Sequence, residues 1–350
     1  MDDGAKKAVS DNPTDVGPQI RRLLSARVSR RQILKASLIG MGGLAAAGGL
    51  ARLESLAAAP PGRGRWRQIG LKIAPGLRTG AAVANDGGRR VLVLFSGGAE
   101  ADTWTWDGLT WTRQNPPLSP PARVGASFAY HPPTKTAMLY GGMNPKGDFL
   151  EDTWLWNGRT WIAASGTGPR ARSRASMAFD PARGNVVMFG GFNGGLLGDT
   201  WIWDGKSWRA LSSSSSPPPV GAGFAYSAAA GKLITCGGTR FQGAMGGSQE
   251  TWGWDGSNWS EVSFGSSPPA RKNAAMAADP EGRLILLFGG LNDRGLLGDT
   301  WRLTSVWSQD TQTPAPSPRI DTSLVPDPSS NSFLLFGGAD RGKLMGDIWA

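Results

Sequence analysis

The histidine and cysteine content of the chain limits the chemistry that it can perform. His131 and Cys236 are single copies in a sequence of 350 residues. Two such ligands cannot complete a Cys/His zinc site, and one cysteine cannot form a disulfide within the chain. A nucleophilic triad would have to use His131. We therefore predict no metal site, no cofactor and no catalytic residue.

Both residues also have a structural interpretation. His131 opens the turn formed with Pro132 and Pro133, at the place where other copies of the same turn have an aspartate. It is therefore interpreted as a turn residue. Cys236 precedes a Gly-Gly pair at the place where Phe189 precedes another, which predicts a small buried apolar side chain.

Arginines at one repeated position are the main candidates for binding an anion. Each precedes a short segment rich in small and apolar residues, and Pro219 takes this position in the one remaining copy. The five are Arg78, Arg123, Arg172, Arg271 and Arg319.

Six repeated acids are predicted to lie on the same face of the fold as these arginines. They are Asp102, Asp152, Asp199, Glu250, Asp299 and Asp347. A ring of arginines either concentrates an anionic ligand or is neutralised by protein carboxylates. Both interpretations stay open: structural bracing, or a ligand site.

These residues belong to a repeat that occurs six times. The chain holds 51 Gly, 25 Pro and 16 Trp, and this aromatic content excludes a disordered chain. A Gly-Gly pair follows an apolar run in each copy, at Gly97 and Gly98, Gly141 and Gly142, Gly190 and Gly191, Gly237 and Gly238, Gly289 and Gly290, and Gly337 and Gly338. An acid and a tryptophan two residues later follow each pair, the tryptophans being Trp104, Trp154, Trp201, Trp252, Trp301 and Trp349. The tryptophans and glycines are interpreted as structural.

Each repeat predicts four short strands. In the second copy the strands are expected at 126–130, 136–140, 153–156 and 160–162, separated by turn residues such as Asn157-Gly158. A unit of about 47 residues cannot bury its apolar face alone, whereas units arranged radially can, as in a β-propeller. The fold class is therefore predicted to be all-β.

The repeats resemble the kelch repeat, in which an apolar run, Gly-Gly, Asp-Thr-Trp and a further tryptophan follow in order. The resemblance covers residues 66–350 and implies a six-bladed kelch propeller with four antiparallel strands in each blade. Galactose oxidase belongs to this superfamily, but its copper site needs two histidines and a Tyr–Cys cross-link, and one histidine cannot supply it. In kelch propellers that capture acidic peptides, arginines at the same point of the repeat line the pocket.

The two ends of the repeat region predict how the ring closes. Trp66 lies in a segment that matches the fourth strand of a repeat with no preceding three, and the last repeat ends at Ala350 with three strands. The N-terminal strand is therefore expected to complete the last blade, which removes an open sheet edge.

The first 59 residues have a different composition and resemble a twin-arginine export signal. Arg30 and Arg31 precede Ile33 and Leu34, and an uncharged run of 16 residues from Ala36 to Ala51 follows. The run is too short to span a membrane, and small residues at 57–59 offer a cleavage site. We predict a signal at 1–59, export from a prokaryotic cytoplasm and no membrane span after processing. A retained anchor and a basic amphipathic helix are the alternatives.

The positive charge of the chain depends in part on this segment. The net charge is +10, of which residues 1–59 contribute +4 and the remainder +6. Nucleic-acid binding is therefore not predicted, and an exported protein would seldom meet nucleic acid. We expect a monomer.

Two classes of function follow from these observations. The first is a binding module whose arginine-bearing face takes an anionic protein, peptide or glycan. The longest or most polar loops on that face are 144–151, 240–249 and 340–346. The second is an enzyme on acidic sugars, because the resemblance extends to exported six-bladed sialic-acid epimerases. Its acid and base would have to be carboxylates, Lys or Tyr. A purely architectural role is a third possibility.

Overall fold

The computed structural model describes residues 64–241 and 246–350, and these residues form a six-bladed β-propeller. The predicted signal at 1–59 lies outside the described residues, as does part of the 240–249 loop. Each blade is a four-stranded antiparallel sheet, and the six innermost strands contact one another around a closed ring. Among the described residues, no helix has the length and apolar character needed to cross a membrane.

The first three blades follow the repeat in chain order. The first strand of the chain, β1 (Gln68–Ile69), belongs to the last blade. Blade one consists of β2 (Ala82–Asp86), β3 (Val91–Phe95), β4 (Thr103–Trp106) and β5 (Trp111–Gln114). Blade two consists of β6 (Ser127–His131), β7 (Thr136–Tyr140), β8 (Thr153–Trp156) and β9 (Trp161–Ala163), with a 3₁₀ turn at Pro132–Thr134. Blade three consists of β10 (Ser176–Asp180), β11 (Asn185–Phe189), β12 (Thr200–Trp203) and β13 (Trp208–Leu211).

The last three blades complete the ring. Blade four consists of β14 (Val220–Ser227), β15 (Lys232–Thr239), β16 (Thr251–Trp254) and β17 (Trp259–Glu261). Blade five consists of β18 (Ala275–Ala278), β19 (Ile285–Asn292), β20 (Gly295–Leu303) and β21 (Trp307–Asp310). Blade six consists of β22 (Ser323–Pro326), β23 (Phe333–Phe336), β26 (Ile348–Trp349) and β1, and a small ribbon of β24 (Ala339–Asp340) and β25 (Lys343–Leu344) precedes β26. The predicted strands of the second repeat agree with β6 to β9 within one residue.

The predicted closure by the N-terminal strand is confirmed. Strand β1 pairs antiparallel with β26, with Gln68 opposite Trp349 and Ile69 opposite Ile348. The backbones of Arg67 and Ala350 exchange two hydrogen bonds at 2.7 and 2.9 Å. The last blade therefore joins both ends of the described propeller and leaves no unpaired edge on β26.

The core lies between neighbouring blades, where the apolar faces of two sheets meet. Between blades three and four, for example, Phe189 and Phe224 pack on Trp259, with ring centroids 4.9 and 5.7 Å apart. Strands such as β11 are buried along most of their length because a blade covers each face. Burial of flat aromatic rings in each interface supplies the main cohesion of the ring.

Tryptophans of the fourth strands also fasten blades two, three and four to the blade before them, whereas the equivalent indole of Trp307 in blade five is buried without a partner among the described residues. The indole N–H groups of Trp161, Trp208 and Trp259 donate to the threonine hydroxyls of the preceding blade, Thr103, Thr153 and Thr200, each at 2.9 Å. The threonine of the Asp-Thr-Trp motif is thus an acceptor between blades. Trp111 meets Ile348 instead of a threonine in blade six, and its indole nitrogen is buried without a partner among the described residues.

The repeated glycine pair turns the chain out of the second strand. Gly141 and Gly142 have φ of 63° and 102°, a region that favours glycine. A Cβ on Gly141 would lie against the backbone carbonyl of Arg172 in the next blade. In blade one these conformations belong to Ser96 (φ 54°) and Gly97 (φ 98°), so the predicted equivalence of Gly97 and Gly98 is wrong by one residue.

Candidate functional site

Each of the five repeated arginines forms a two-pronged ion pair with the repeat acid of its own blade. Arg123 donates from Nη1 and Nη2 to the two carboxylate oxygens of Asp152, at 2.6 and 2.8 Å. The other pairs are Arg78 with Asp102, Arg172 with Asp199, Arg271 with Asp299, and Arg319 with Asp347. The pairing of arginines with repeat carboxylates is therefore present in five blades.

These arginines also donate to backbone carbonyls. Arg123 donates from Nη1 to the Gly141 carbonyl at 2.8 Å and from Nε to the Pro121 carbonyl at 3.0 Å. The same contacts recur at the other four positions. The side chains of Arg123, Arg172, Arg271 and Arg319 are 0% exposed. These arginines brace the blade from inside. Their predicted role toward a ligand stays a prediction.

The tryptophan of the Asp-Thr-Trp motif completes this arrangement. Trp154 donates its indole N–H to the second carboxylate oxygen of Asp152 at 2.6 Å, and the contact recurs in all six blades. Burial by itself raises the pKa of Asp152, but hydrogen bonds and charge from Arg123, together with the indole, outweigh it and lower the pKa. The carboxylate is thereby held ionised.

Blade four is the exception that Pro219 predicts. Glu250 replaces aspartate there and pairs with Arg240 from the loop after β15, with 2.6 Å between Nη2 and Oε2. The Arg240 guanidinium lies 5.6 Å from the centroid of the Trp252 ring. The Arg240 side chain is 39% exposed, in contrast to the buried arginines of the other blades, whereas Glu250 at 30% is no more exposed than Asp152 at 36%.

The channel mouth is formed by the residue two places after each of these positions. All six residues have a left-handed backbone, with φ between 52° and 77°: Gly80, Gly125, Arg174, Gly221, Asn273 and Asp321. Four of their N–H groups donate to the carbonyl of the ring residue in the preceding blade, at 2.7 to 2.9 Å, those of Gly80, Gly125, Arg174 and Asn273. We call these six residues the mouth ring.

Three members of the mouth ring carry polar side chains, and the glycines make room for them. A Cβ on Gly125 would lie 3.3 Å from Cγ of Arg174, and one on Gly221 would overlap the side-chain oxygen of Asn273. Arg174 in blade three reaches across the mouth to Asp321 in blade six, with 2.7 Å between Nη2 and Oδ2. Blades three and six are opposite one another in a ring of six, so this ion pair spans the channel.

Two cavities meet at this ion pair. The channel cavity, about 230 Å³, is lined by the starts of the first strands, including Ala82, Ser176 and Ser323. A smaller crevice of about 50 Å³ lies outside it, between the loops of blades two and three. Arg174 and Asp321 line both, and none of the five buried arginines is among the described lining residues.

The crevice has apolar walls around this charged pair. Val124, Met143 and Phe149 pack together, and Phe149 meets Phe192 edge to face with ring centroids 5.8 Å apart. Isolated bridges between Val124 and Met143, and between Met143 and Phe149, hold the loop in place. A mostly apolar cavity with a few convergent polar groups is the usual form of a ligand site.

The repeat pattern does not single out Arg174 and Asp321, because the regular arginines lie two places earlier in each copy. The available signal was a position that is glycine in three copies but Arg174, Asn273 and Asp321 in the others. A charged side chain at a position that tolerates glycine is not required by the fold. The repeated arginines, by contrast, proved to be internal.

His131 and Cys236 lie away from the mouth ring. His131 is buried at the far end of β6, where Nδ1 meets the Thr134 hydroxyl at 2.8 Å and Nε2 meets the Gly184 carbonyl at 3.2 Å. Burial lowers the pKa of His131 and raises that of the Cys236 thiol to about 11. Cys236 is thus a poor nucleophile. Within residues 64–241 and 246–350, no group of three His, Cys, Asp or Glu side chains could hold a metal.

Comparisons with known proteins agree with the fold. No protein-family model matches the chain, and no curated protein matches it. Among solved structures, the chain is similar to one titled "Structure of YjhT", with 16% sequence identity and a TM-score of 0.61. The match covers 79% of this chain and 95% of that chain. The class that fold and site define is a six-bladed β-propeller with an ion pair across its channel mouth; membership of the kelch family stays a prediction.

Proposed function

We propose that this chain is an exported binding module that takes an anionic ligand at the channel mouth, with Arg174 as the main contact. The observation that carries the proposal is the placement of Arg174 in a left-handed backbone, at φ 56°, in a ring position that is glycine in blades one, two and four. A non-glycine residue there costs about 1–2 kcal/mol of backbone strain. The side chain therefore has a use that the fold itself does not require.

The guanidinium of Arg174 has donors to offer. Within the described residues, its side-chain acceptor is Asp321, which is bound through Nη2. Nε and Nη1 thus remain for a ligand, whereas Arg123 uses Nε, Nη1 and Nη2 on protein oxygens. An anion can bind the open edge of Arg174 while Asp321 keeps the guanidinium in place.

The charge around the mouth favours an anion. Arg174 presents its guanidinium at the wall that the two cavities share, and 21% of its side chain is exposed. A cation between low-dielectric walls attracts anions. The ligand classes that we propose are an acidic peptide or protein segment, or an acidic glycan.

The alternative function, an enzyme on acidic sugars, rests on the same pair. Asp321 is a carboxylate beside the proposed anion contact, and a carboxylate is a group that can accept or donate a proton in catalysis. The two functions differ in product: a binding module returns the sugar unchanged. Incubation with an acidic sugar, followed by NMR of its anomers and epimers, separates them.

The test is a glycan and acidic-peptide array, probed with the purified protein at low and high ionic strength. We expect binding that weakens with salt and falls at least about tenfold in Arg174→Gly, because a charge-assisted hydrogen bond is lost. The fold should persist, since glycine is the residue of three other blades. Arg183→Gln is the matched control, because Arg183 pairs with Asp180 at 2.8 Å at the opposite end of β10. Equal binding by Arg174→Gly and the unmodified protein would overturn the proposal.

A further inference from the structure

The crevice beside Arg174 suggests what else the ligand carries. Its apolar lining, Val124, Met143, Phe149 and Phe192, shares a wall with the guanidinium of Arg174 and the carboxylate of Asp321. A group bound to Nε or Nη1 of Arg174 therefore has apolar side chains directly next to it. A bare anion such as sulfate would leave this surface in water.

We infer that the ligand bears its anionic group on a short apolar chain or ring, which fills the crevice that Phe149 and Phe192 line while Arg174 binds the charge. This inference rests on the proposed function and specifies its ligand class: a carboxylate with a small apolar substituent. The carboxylate meets the open edge of Arg174, and Asp321 disfavours a second negative charge on the same ligand.

The volume of the crevice limits the substituent. About 50 Å³ is available, and a water-sized group needs about 10–15 Å³ of such space. The crevice thus holds about three to five carbon atoms. Burying one methylene is worth about 0.8 kcal/mol, or about fourfold in the dissociation constant. Affinity should therefore rise with each carbon and stop rising once the crevice is full.

The larger channel cavity is a less suitable place for the substituent. It is lined by small residues and polar groups, among them Ser176, Asn273 and Thr322, as well as by Met177 and Met276. An alkyl chain of the ligand that passed between Arg174 and Asp321 would have to separate the two side chains, whose Nη2 and Oδ2 atoms lie 2.7 Å apart. The outer crevice needs no such change.

The test is a titration of the purified protein, followed by NMR or calorimetry, with the carboxylates acetate, propionate, butyrate, pentanoate, hexanoate and octanoate. We expect the dissociation constant to fall up to about fourfold for each added carbon until the crevice is full, at a chain length between butyrate and hexanoate, and to stay level from there to octanoate. Pentan-1-ol, which lacks the charge, should bind at least about tenfold more weakly than pentanoate.

Variants of the protein identify where the alkyl chain of the carboxylate binds. Phe192→Ala should flatten the dependence on chain length, whereas Phe241→Ala, an exposed phenylalanine in the blade-four loop, should leave both that dependence and acetate binding unchanged. Arg174→Gly should remove binding of the whole series. Equal affinity for acetate and pentanoate, lost in Arg174→Gly, would overturn the inference and leave the proposed function standing. A steady gain through octanoate would also overturn it, and no binding of any carboxylate would overturn both.

Discussion

The indole N–H of Trp66 donates to the hydroxyl oxygen of Thr300 at 2.8 Å, although the two residues are 234 positions apart. Trp66 precedes β1, the outer strand of blade six, and Thr300 belongs to β20 of blade five. The contact therefore repeats the relationship of Trp161 to Thr103 in the preceding blade. The N-terminal segment covers the edge of β26 and also supplies the fourth-strand tryptophan of blade six.

Removing one of these acceptors should weaken the ring. Thr200→Val keeps the shape of the side chain but leaves the buried Trp259 indole without its partner, at an expected cost of about 1–3 kcal/mol in the free energy of unfolding. Ile348→Thr places a hydroxyl near the unpartnered Trp111 indole. This variant should raise the free energy of unfolding, but by less than Thr200→Val lowers it, because the apolar contacts of Ile348 are lost. Chemical denaturation of both variants measures this. Equal stability of Thr200→Val and the unmodified protein would contradict the inter-blade role.

The buried arginines should matter for stability. Arg271→Ala leaves Asp299, whose side chain is 16% exposed, with the Trp301 indole as its remaining side-chain donor. Breaking such a buried pair should cost about 3–5 kcal/mol. Arg123→Ala should cost less, about 1–3 kcal/mol, since the Asp152 side chain is 36% exposed and water can solvate it. The free energies of unfolding should follow this order, measured with Arg113→Ala as the control, because the ion pair of Arg113 with Glu100 is exposed. Arg271→Ala as stable as the control would show that the pairs do not brace the blades.

His131 should make stability sensitive to pH in the mildly acidic range. Burial lowers the pKa of His131 below its ordinary value of 6.5, so the unfolded chain binds this proton more readily than the folded protein. The contribution of the buried neutral imidazole to the free energy of unfolding is therefore complete above pH 6.5 and is lost as the pH falls toward the pKa of His131 in the folded protein. Because the chain has one histidine, His131→Gln should remove the part of the slope of unfolding free energy that begins as the pH falls below about 6.5. An unchanged slope would assign it to other groups.

The same residue offers a check on catalysis. His131→Asp introduces the residue found in equivalent turns and should leave ligand binding unchanged, because His131 lies at the opposite end of β6 from the mouth ring. Some stability should be lost with the contact to Gly184. A loss of function above tenfold at unchanged stability would restore an enzyme reading that uses the imidazole.

The twin-arginine signal remains a prediction and can be tested in cells. If Arg30 and Arg31 direct export, Arg30→Lys combined with Arg31→Lys should retain an uncleaved protein in the cytoplasm. Fractionation and the mass of the recovered chain measure both effects. Lys6→Arg is a control that leaves the pair intact. Unchanged export of the double variant would show that the pair is a basic patch and no more.

The repeat by itself determined the number of blades, the strands within them and the closure of the ring. Short-range patterns carry this information: apolar runs between turn residues, Asn157-Gly158 at a tight turn, and an aspartate two residues before Trp154. It also predicted that Pro219 would make blade four different. The one-residue shift at Ser96 and Gly97 was missed because the letters Gly-Gly fit either alignment, and the hydrogen bonds of the neighbouring blade decided between them.

The roles of the charged side chains were decided by the tertiary structure. In the sequence, Arg123 and Arg174 are both arginines at the start of an inner strand, and the more regular one was the stronger candidate for a ligand. Folding places Arg123 between two carbonyls and a carboxylate, which accept from Nε, Nη1 and Nη2, while the left-handed backbone two places further along the repeat directs Arg174 over the channel. Its partner Asp321 is 147 residues away in sequence, and only the closure of a six-membered ring sets blade three opposite blade six.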